Sequence, residues 1–137
     1  MFKGEGRGWA GGNGAKATTK RLGDSAEDRA LSHLQQQGLR LVCRNYRLAG
    51  GPRQRGAEVD LIMAELGGTL VFVEVRSRRS ASHGGAAGSI TGPKQQRIVR
   101  AAQHFLLRYA SLPPCRFDVV AIEGEQLQWL KAAFNAW

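Results

Sequence analysis

The sequence predicts one α/β domain whose elements run helix, three strands, helix, two strands. Three observations carry that prediction. Two stretches space their apolar residues at helical intervals, and each has a capping sequence before it and a breaker after it, Gly38 for the first and Pro113 with Pro114 for the second. Between and after them lie short runs rich in Val, Ile and Phe, bounded by turn residues, which is the pattern of strands. The chain has 137 residues, 42% of them hydrophobic, enough for one core and little else.

Residues 1 to about 20 are rich in Gly with scattered Lys and Arg and show no periodicity. They read as a disordered basic arm before a single domain over residues 21–137. The run from Gly11 to Lys16 superficially looks like a phosphate-binding loop, but it lacks the Gly-Lys-Ser/Thr order and a preceding strand. Asp24 or Ser25 then caps the first helix, with Glu27 and Asp28 in its first turn and Ala30, Leu31 and Leu34 as its apolar stripe. This puts Glu27 at the edge of the buried face. As an acid near a helix N-terminus it would gain about 0.3–1 kcal/mol from the macrodipole.

Leu39 to Arg47 reads as the first strand, and the loop AGGPRQRG after it carries Arg53 and Arg55. The stretch from Ala57 to Arg79 reads as two strands joined by a Gly-Gly turn, the first with Val59, Leu61 and Met63 alternating with Asp60, Ile62 and Ala64 and with Glu58 on the face of Asp60. Folding about Gly67 sets position 60 opposite position 74, since hairpin partners are equidistant from the turn centre. Each strand thus bears a carboxylate, Asp60 and Glu74, where an apolar residue would suit the core better. Two opposed carboxylates about 5 Å apart repel by on the order of 3 kcal/mol at an effective dielectric near 20. Such a pair calls for a cation or a shared proton.

The second strand of the hairpin runs on through Arg76, Arg78 and Arg79 into a long polar loop, SASHGGAAGSITG. That loop is either a solvated linker or a basic-rooted contact for a phosphate backbone. Thr91, Gly92 and Pro93 open the second helix, whose apolar face is Ile98, Ala101, Ala102, Phe105, Leu106 and Tyr109. Lys94, Arg97, Arg100 and Arg108 charge its other faces. RFDVVAI from Arg116 and the short run QLQWL read as the last two strands, and AAFNAW as a half-turn or short helix anchored by Phe134 and Trp137.

The formal charge is +9, which favours a polyanionic partner, DNA in the first place with RNA left open. Arg outnumbers Lys by 15 to 5, and guanidinium groups suit bidentate phosphate recognition. Arg53, Arg55, Arg78, Arg79, Lys94 and Arg97 are the candidate contacts to nucleic acid. Cys43 and Cys115 make neither a disulfide framework nor a metal-ligand spacing, and no apolar run reaches the roughly 20 residues of a membrane span. A cytoplasmic protein with no membrane partner is the expectation, and a homodimer is among the open oligomeric states. His33, His83 and His104 share no metal-ligand spacing. Asp118, close to Arg116, reads as an ion-pair partner, and Trp129 and Trp137 as packing.

Asp60 and Glu74 on adjacent strands are the arrangement a divalent metal site for phosphodiester chemistry needs. Mg²⁺ (or Mn²⁺) takes hard oxygen ligands and is usually held by only one or two carboxylates, with water and phosphate filling the rest. The main-chain carbonyl of Val75 lies one residue on. Gly23, Glu27, Arg44-Asn45-Tyr46, Glu58-Val59-Asp60-Leu61-Ile62, Phe72-Val73-Glu74-Val75-Arg76 and Arg116-Phe117-Asp118-Val119-Val120 follow one another in the order that marks the UPF0102 (YraN-like) family, and the chain resembles it from residue 20 onward. That family is similar in outline to the PD-(D/E)XK nucleases and archaeal Holliday-junction resolvases of the restriction-endonuclease-like fold.

The resemblance implies a mixed sheet flanked by helices, with Glu27, Asp60 and Glu74 as the acids of a metal site. It also places Arg76 where the nuclease pattern has Lys. A guanidinium stays protonated above pH 12 and cannot take a proton from water, though it can stabilise charge on the phosphate. Lys94 is the candidate to replace that Lys in space. The implied activity is Mg²⁺-dependent hydrolysis of DNA, in branched or single-stranded forms among others; the alternative is a nucleic-acid-binding module that keeps the scaffold without turnover.

Overall fold

The structure, a computed structural model, describes residues 18–78 and 90–136, and for 18–24 the backbone alone. Residues 1–17 of the predicted basic arm, with Arg79, His83 and Trp137, lie outside the described residues, and the arm's last residues, Thr18 to Lys20, belong to a helix. The elements are α1 (Thr18–Gln36), β1 (Arg40–Leu48), β2 (Ala57–Ala64), β3 (Leu70–Arg78), α2 (Gly92–Leu106), β4 (Cys115–Glu123) and β5 (Gln126–Phe134). The predicted α-β-β-β-α-β-β order holds. The five strands form one mixed sheet in sequence order, with β3 and β4 parallel and every other neighbouring pair antiparallel.

One helix covers each side of the sheet. On one side, Ile98, Ala101, Ala102, Phe105 and Leu106 of α2 close a core with Ala57, Val59, Ile62, Leu70, Phe72 and Phe117. On the other, Ala26, Ala30 and Leu34 of α1 pack on Leu61, Met63, Val71, Val73, Val120 and Ile122. Strands buried on both faces explain the near-continuous apolar runs of β2 and β3. α2 starts as predicted, since Thr91 Oγ1 accepts the Lys94 amide and Pro93 sits in the first turn. α1 ends as predicted at Gly38, whose φ of 99° lets the Leu39 amide reach back to the Leu34 carbonyl at 3.0 Å.

The structure corrects three local expectations. α1 begins at Thr18 instead of at Asp24 or Ser25, because Thr18 to Leu22 carry no breaker and continue the helix backwards. Glu27 therefore lies more than two turns inside the helix at about 3.6 residues per turn, and the macrodipole account of it falls. At the C-terminus, β5 continues to Phe134 where a half-turn or short helix was expected. The continuation survives through an irregularity opposite Asp118, with Ala132 at φ 52°, which keeps Phe134 stacked on Phe117 at 5.1 Å.

The third correction concerns β2. Simple alternation would put Val59, Leu61 and Met63 on one face, and Glu58 on the same face as Asp60. Instead Ala57 and Val59 join the α2-side core while Leu61 and Met63 join the α1-side core, so the alternation inverts at Asp60. The cause lies across the ladder. Asn45 stands between the pairs Arg44–Leu61 and Tyr46–Val59, facing Asp60, and has φ 56°, a left-handed conformation that Asn tolerates better than most residues.

Candidate active site

The β2–β3 register is the one the hairpin predicts, with Leu61 facing Val73 and Ile62 facing Phe72. The ladder ends at Leu61–Val73, and just beyond it the Asp60 and Glu74 carboxyl groups come within hydrogen-bonding reach of each other. The Asp60 carboxylate fills the end of this ladder itself, its Oδ2 accepting the Val75 amide at 2.8 Å. Phe72 belongs to the α2-side core, so Glu74, two residues on, faces α2. There the Lys94 ammonium stands 3.4 Å from Glu74 Oε2. Lys94 thus meets the acid that Arg76 follows in sequence, and Arg76 adds its own positive charge to the field on Glu74.

Glu27 approaches from α1. Arg44 Nε holds its Oε1 at 3.3 Å, and the same guanidinium reaches Asp28 Oδ1 at 2.6 Å. The three acids share an environment that resists their ionisation. Burial, then the charge of Glu74, pushes Asp60 up to about 7, against the pull of the Val75 amide. Burial raises Glu74 too, with Lys94 opposing. Glu27 is raised by burial first and by the Asp60 charge second, with Arg44 and Asn45 favouring its ionised form.

This donor set fits a hard divalent cation. A buried carboxylate and a half-buried one, Glu74 and Asp60, whose charges disfavour each other gain most from a small ion between them, and the set contains no thiol or imidazole to select a softer metal. Among the described residues no three His, Cys, Asp or Glu side chains are gathered into a ready-made metal cluster. Asp60 and Glu74 form a pair, and Glu27 is engaged by Arg44.

The other predicted residues fall into place around this pair. Lys94 and Arg97 line a cleft of about 560 Å³ beside it, together with Arg47, Leu48, Ala49, Gly50, Gly56, Ala57, Glu58 and Ile98. Arg53 and Arg55 are exposed on the loop at the rim of that cleft, and Arg100 of α2 donates to the Arg55 carbonyl. Arg78 closes β3, where its carbonyl accepts the Gly124 amide at 3.1 Å.

Asp118 is a structural ion-pair partner. It is fully buried and takes both Arg116 nitrogens, Nε at 2.9 Å and Nη2 at 3.0 Å, the Trp129 indole N–H at 2.9 Å and the Ala132 amide at 2.9 Å. Arg116 also reaches Glu65 at 2.7 Å. His33 packs edge-on to Trp129, and His104 Nδ1 lies 2.6 Å from the Tyr46 hydroxyl, so both have packing partners. Arg44 and Asn45 are the contributors that reasoning from charge and periodicity passed over. An Asn within a strand, facing Asp60 of the neighbouring strand, was the available signal.

Fold and site together define an α/β protein with a mixed sheet, in which adjacent strands carry a largely sequestered carboxylate pair whose buried member, Glu74, is faced by a helix lysine. The profile of the uncharacterised protein family UPF0102 matches residues 26–122, and the chain belongs to that family. It is 66% identical over 119 residues to a UPF0102 protein of Methylibium petroleiphilum, covering 87% of this chain and 98% of that one. UPF0102 proteins of Paracidovorax citrulli and an Acidovorax species are 57% and 58% identical over 126 and 125 residues, covering 92% and 91% of this chain and 91% and 92% of theirs. No described helix is long and apolar enough to cross a membrane.

Proposed function

We propose that this protein binds DNA and hydrolyses its phosphodiester bonds with the help of Mg²⁺ or Mn²⁺. The observation that supports this most is the pairing of the half-buried Asp60 with the buried Glu74, with the Lys94 ammonium 3.4 Å from Glu74. Asp60, Glu74 and the Val75 carbonyl would hold the ion, with Glu27 closing the site from α1. When bound, the ion would lower the pKa of a coordinated water and polarise the phosphoryl oxygen.

The protein's own groups have separate tasks. The Val75 amide fixes the orientation of Asp60, since it occupies Oδ2 and leaves the rest of the carboxylate for other contacts. Lys94 neutralises Glu74 and offers its remaining N–H donors to a phosphate oxygen. Arg76 stabilises charge on the phosphate without exchanging a proton. In the net reaction the water oxygen bonds to phosphorus, the P–O bond to the leaving sugar breaks, and the leaving oxygen gains a proton.

Arg76 also favours a second reading, a module that binds nucleic acid on this scaffold without turnover, because no proton-accepting Lys follows Glu74. The two separate on turnover alone. The test is incubation with branched, single-stranded and duplex DNA, and with RNA, in Mg²⁺ and in Mn²⁺. Cleavage that disappears in Asp60→Ala and Glu74→Ala while DNA binding persists is the expected result. No cleavage of any substrate sinks hydrolysis and leaves the binding module. Loss of all nucleic-acid affinity at low salt sinks both and points to a protein partner.

A further inference from the structure

The cleft beside the acid pair is a built feature. One wall is α2, through Lys94, Arg97 and Ile98, and the other is the end of β1, the start of β2 and the loop between them. That loop is pinned: Gly51 and Gln54 bridge across it at 2.8 Å, and Arg100 ties the Arg55 carbonyl back to α2. Its two arms cross so closely at Gly50 that an added Cβ would stand 2.6 Å from the Gln54 carbonyl oxygen. Asp60 and Glu74 stand outside its lining, and two of its residues connect it to them. Lys94 lines it and also contacts Glu74, while Glu58 lines it and its charge helps raise Asp60.

Its lining is divided by chemistry. Leu48 and Ala49 supply accessible aliphatic surface backed by the buried Ala57 and Ile98, and Arg47, Lys94 and Arg97 supply positive charge. Glu58 is paired with Arg47 at 3.3 Å, and Lys94 with Glu74. Arg97, half-buried, has no ion-pair partner among the described residues, so its guanidinium is the cation available to a ligand. A groove that only tracked a phosphate backbone would have no use for the aliphatic surface. A volume of about 560 Å³ falls within the roughly 300–1,000 Å³ typical of sites that enclose a small ligand.

We infer that this cleft receives one unpaired nucleotide of a DNA strand, its base on the Leu48–Ala49 surface and its phosphate on Arg97, so that the neighbouring phosphodiester lies at Asp60 and Glu74. A base inside a duplex cannot reach such a pocket without leaving the stack, and an already unpaired base avoids that cost. The preferred substrate is therefore DNA with an extrahelical or single-stranded nucleotide, and fully paired duplex is disfavoured. The inference rests on the reading of the acid pair as a phosphodiester site, and it deepens that reading by naming the substrate feature.

The test is a binding measurement on the full-length protein without added divalent metal, so its readout is independent of cleavage. Fluorescence anisotropy would compare three labelled duplexes of one sequence: fully paired, with one extrahelical nucleotide, and with that nucleotide made abasic. The expected result is about tenfold tighter binding to the extrahelical nucleotide than to paired duplex, a factor that good base recognition readily supplies. The abasic form should lose most of that gain, and Arg97→Ala, at a half-buried surface position, should remove the preference. Equal affinity for all three duplexes overturns the nucleotide pocket and leaves the hydrolysis reading standing. A preference that survives in Arg97→Ala overturns its assignment to this cleft. A preference for the unpaired base in a protein that cleaves nothing supports the pocket and removes the hydrolysis reading, so the two failures are distinct.

Discussion

Lys94 at the start of α2 reaches Glu74 in the middle of the sheet, its ammonium 3.4 Å from Glu74 Oε2, although 20 positions of sequence separate them. The contact sets a lysine against the second acid of the pair from a helix, where the strand itself provides Arg76. Lys94→Ala should reduce DNA cleavage at least tenfold, while the stability loss stays near 1 kcal/mol or below, because Lys94 is 39% exposed and screened by solvent. Arg76→Lys adds a second lysine beside Glu74 and should raise cleavage. Initial rates on one substrate and a urea titration of each variant check both statements.

The titration of Asp60 sets the pH dependence of stability. Its folded value, about 7, lies above its ordinary 3.8, so between those values the folded state binds more protons than the unfolded state. Stability contributed by the protonated group is fully present below about 3.8 and declines as pH rises towards 7. Asp60→Asn removes that decline, and its stability should fall less than the wild type's between pH 4 and 7. Denaturant midpoints across that range are the measurement.

Ionised Asp60 and Glu74 are also the form that binds a cation. Mg²⁺ at about a hundred times its dissociation constant should stabilise the protein by roughly 2.7 kcal/mol. At one fixed Mg²⁺ concentration the gain should be larger at pH 8 than at pH 5, and absent in Glu74→Gln. Thermal unfolding with and without Mg²⁺ at the two pH values reports it.

Asp118 is predicted to matter for folding and not for chemistry. Asp118→Ala leaves Arg116 without its bidentate partner and strips the Trp129 and Ala132 N–H groups of their acceptor. A loss of about 3–5 kcal/mol is expected from breaking a buried pair in this way. Equilibrium unfolding of Asp118→Ala against wild type checks it; a loss under 1 kcal/mol would contradict the account.

Asn45 has a backbone role that two substitutions separate. Asn45→Ala at φ 56° should cost about 1–2 kcal/mol in strain. Asn45→Gly relieves the strain but removes the side chain, so it should be the more stable of the two while still altering Glu27. Comparing their unfolding midpoints distinguishes backbone strain from side-chain loss.

Much of this molecule was legible in local pattern. The hairpin register from Leu61–Val73 to Ala64–Leu70 follows from the turn centre alone, and it points Asp60 towards Glu74. The helix stripe from Ile98 to Leu106, the Thr91 cap and the stop at Gly38 are likewise local, because capping and periodicity act over a few residues. The continuation of β5 was not legible, since the strand persists past Leu130 only because Phe134 stacks on Phe117 and the Ala132 amide reaches Asp118.

The sequence by itself determined the element order, the two apolar helix faces and the pairing of two acids across a hairpin, all of which depend on spacing along the chain. Tertiary structure alone decided the surroundings of those acids. That Lys94 neutralises Glu74, that Arg44 takes Glu27 and that β2 inverts at Asp60 opposite Asn45 are consequences of which surfaces meet when α1 and α2 close on the sheet. Charge and burial at a site are summed over neighbours distant in sequence, and no local pattern records that sum.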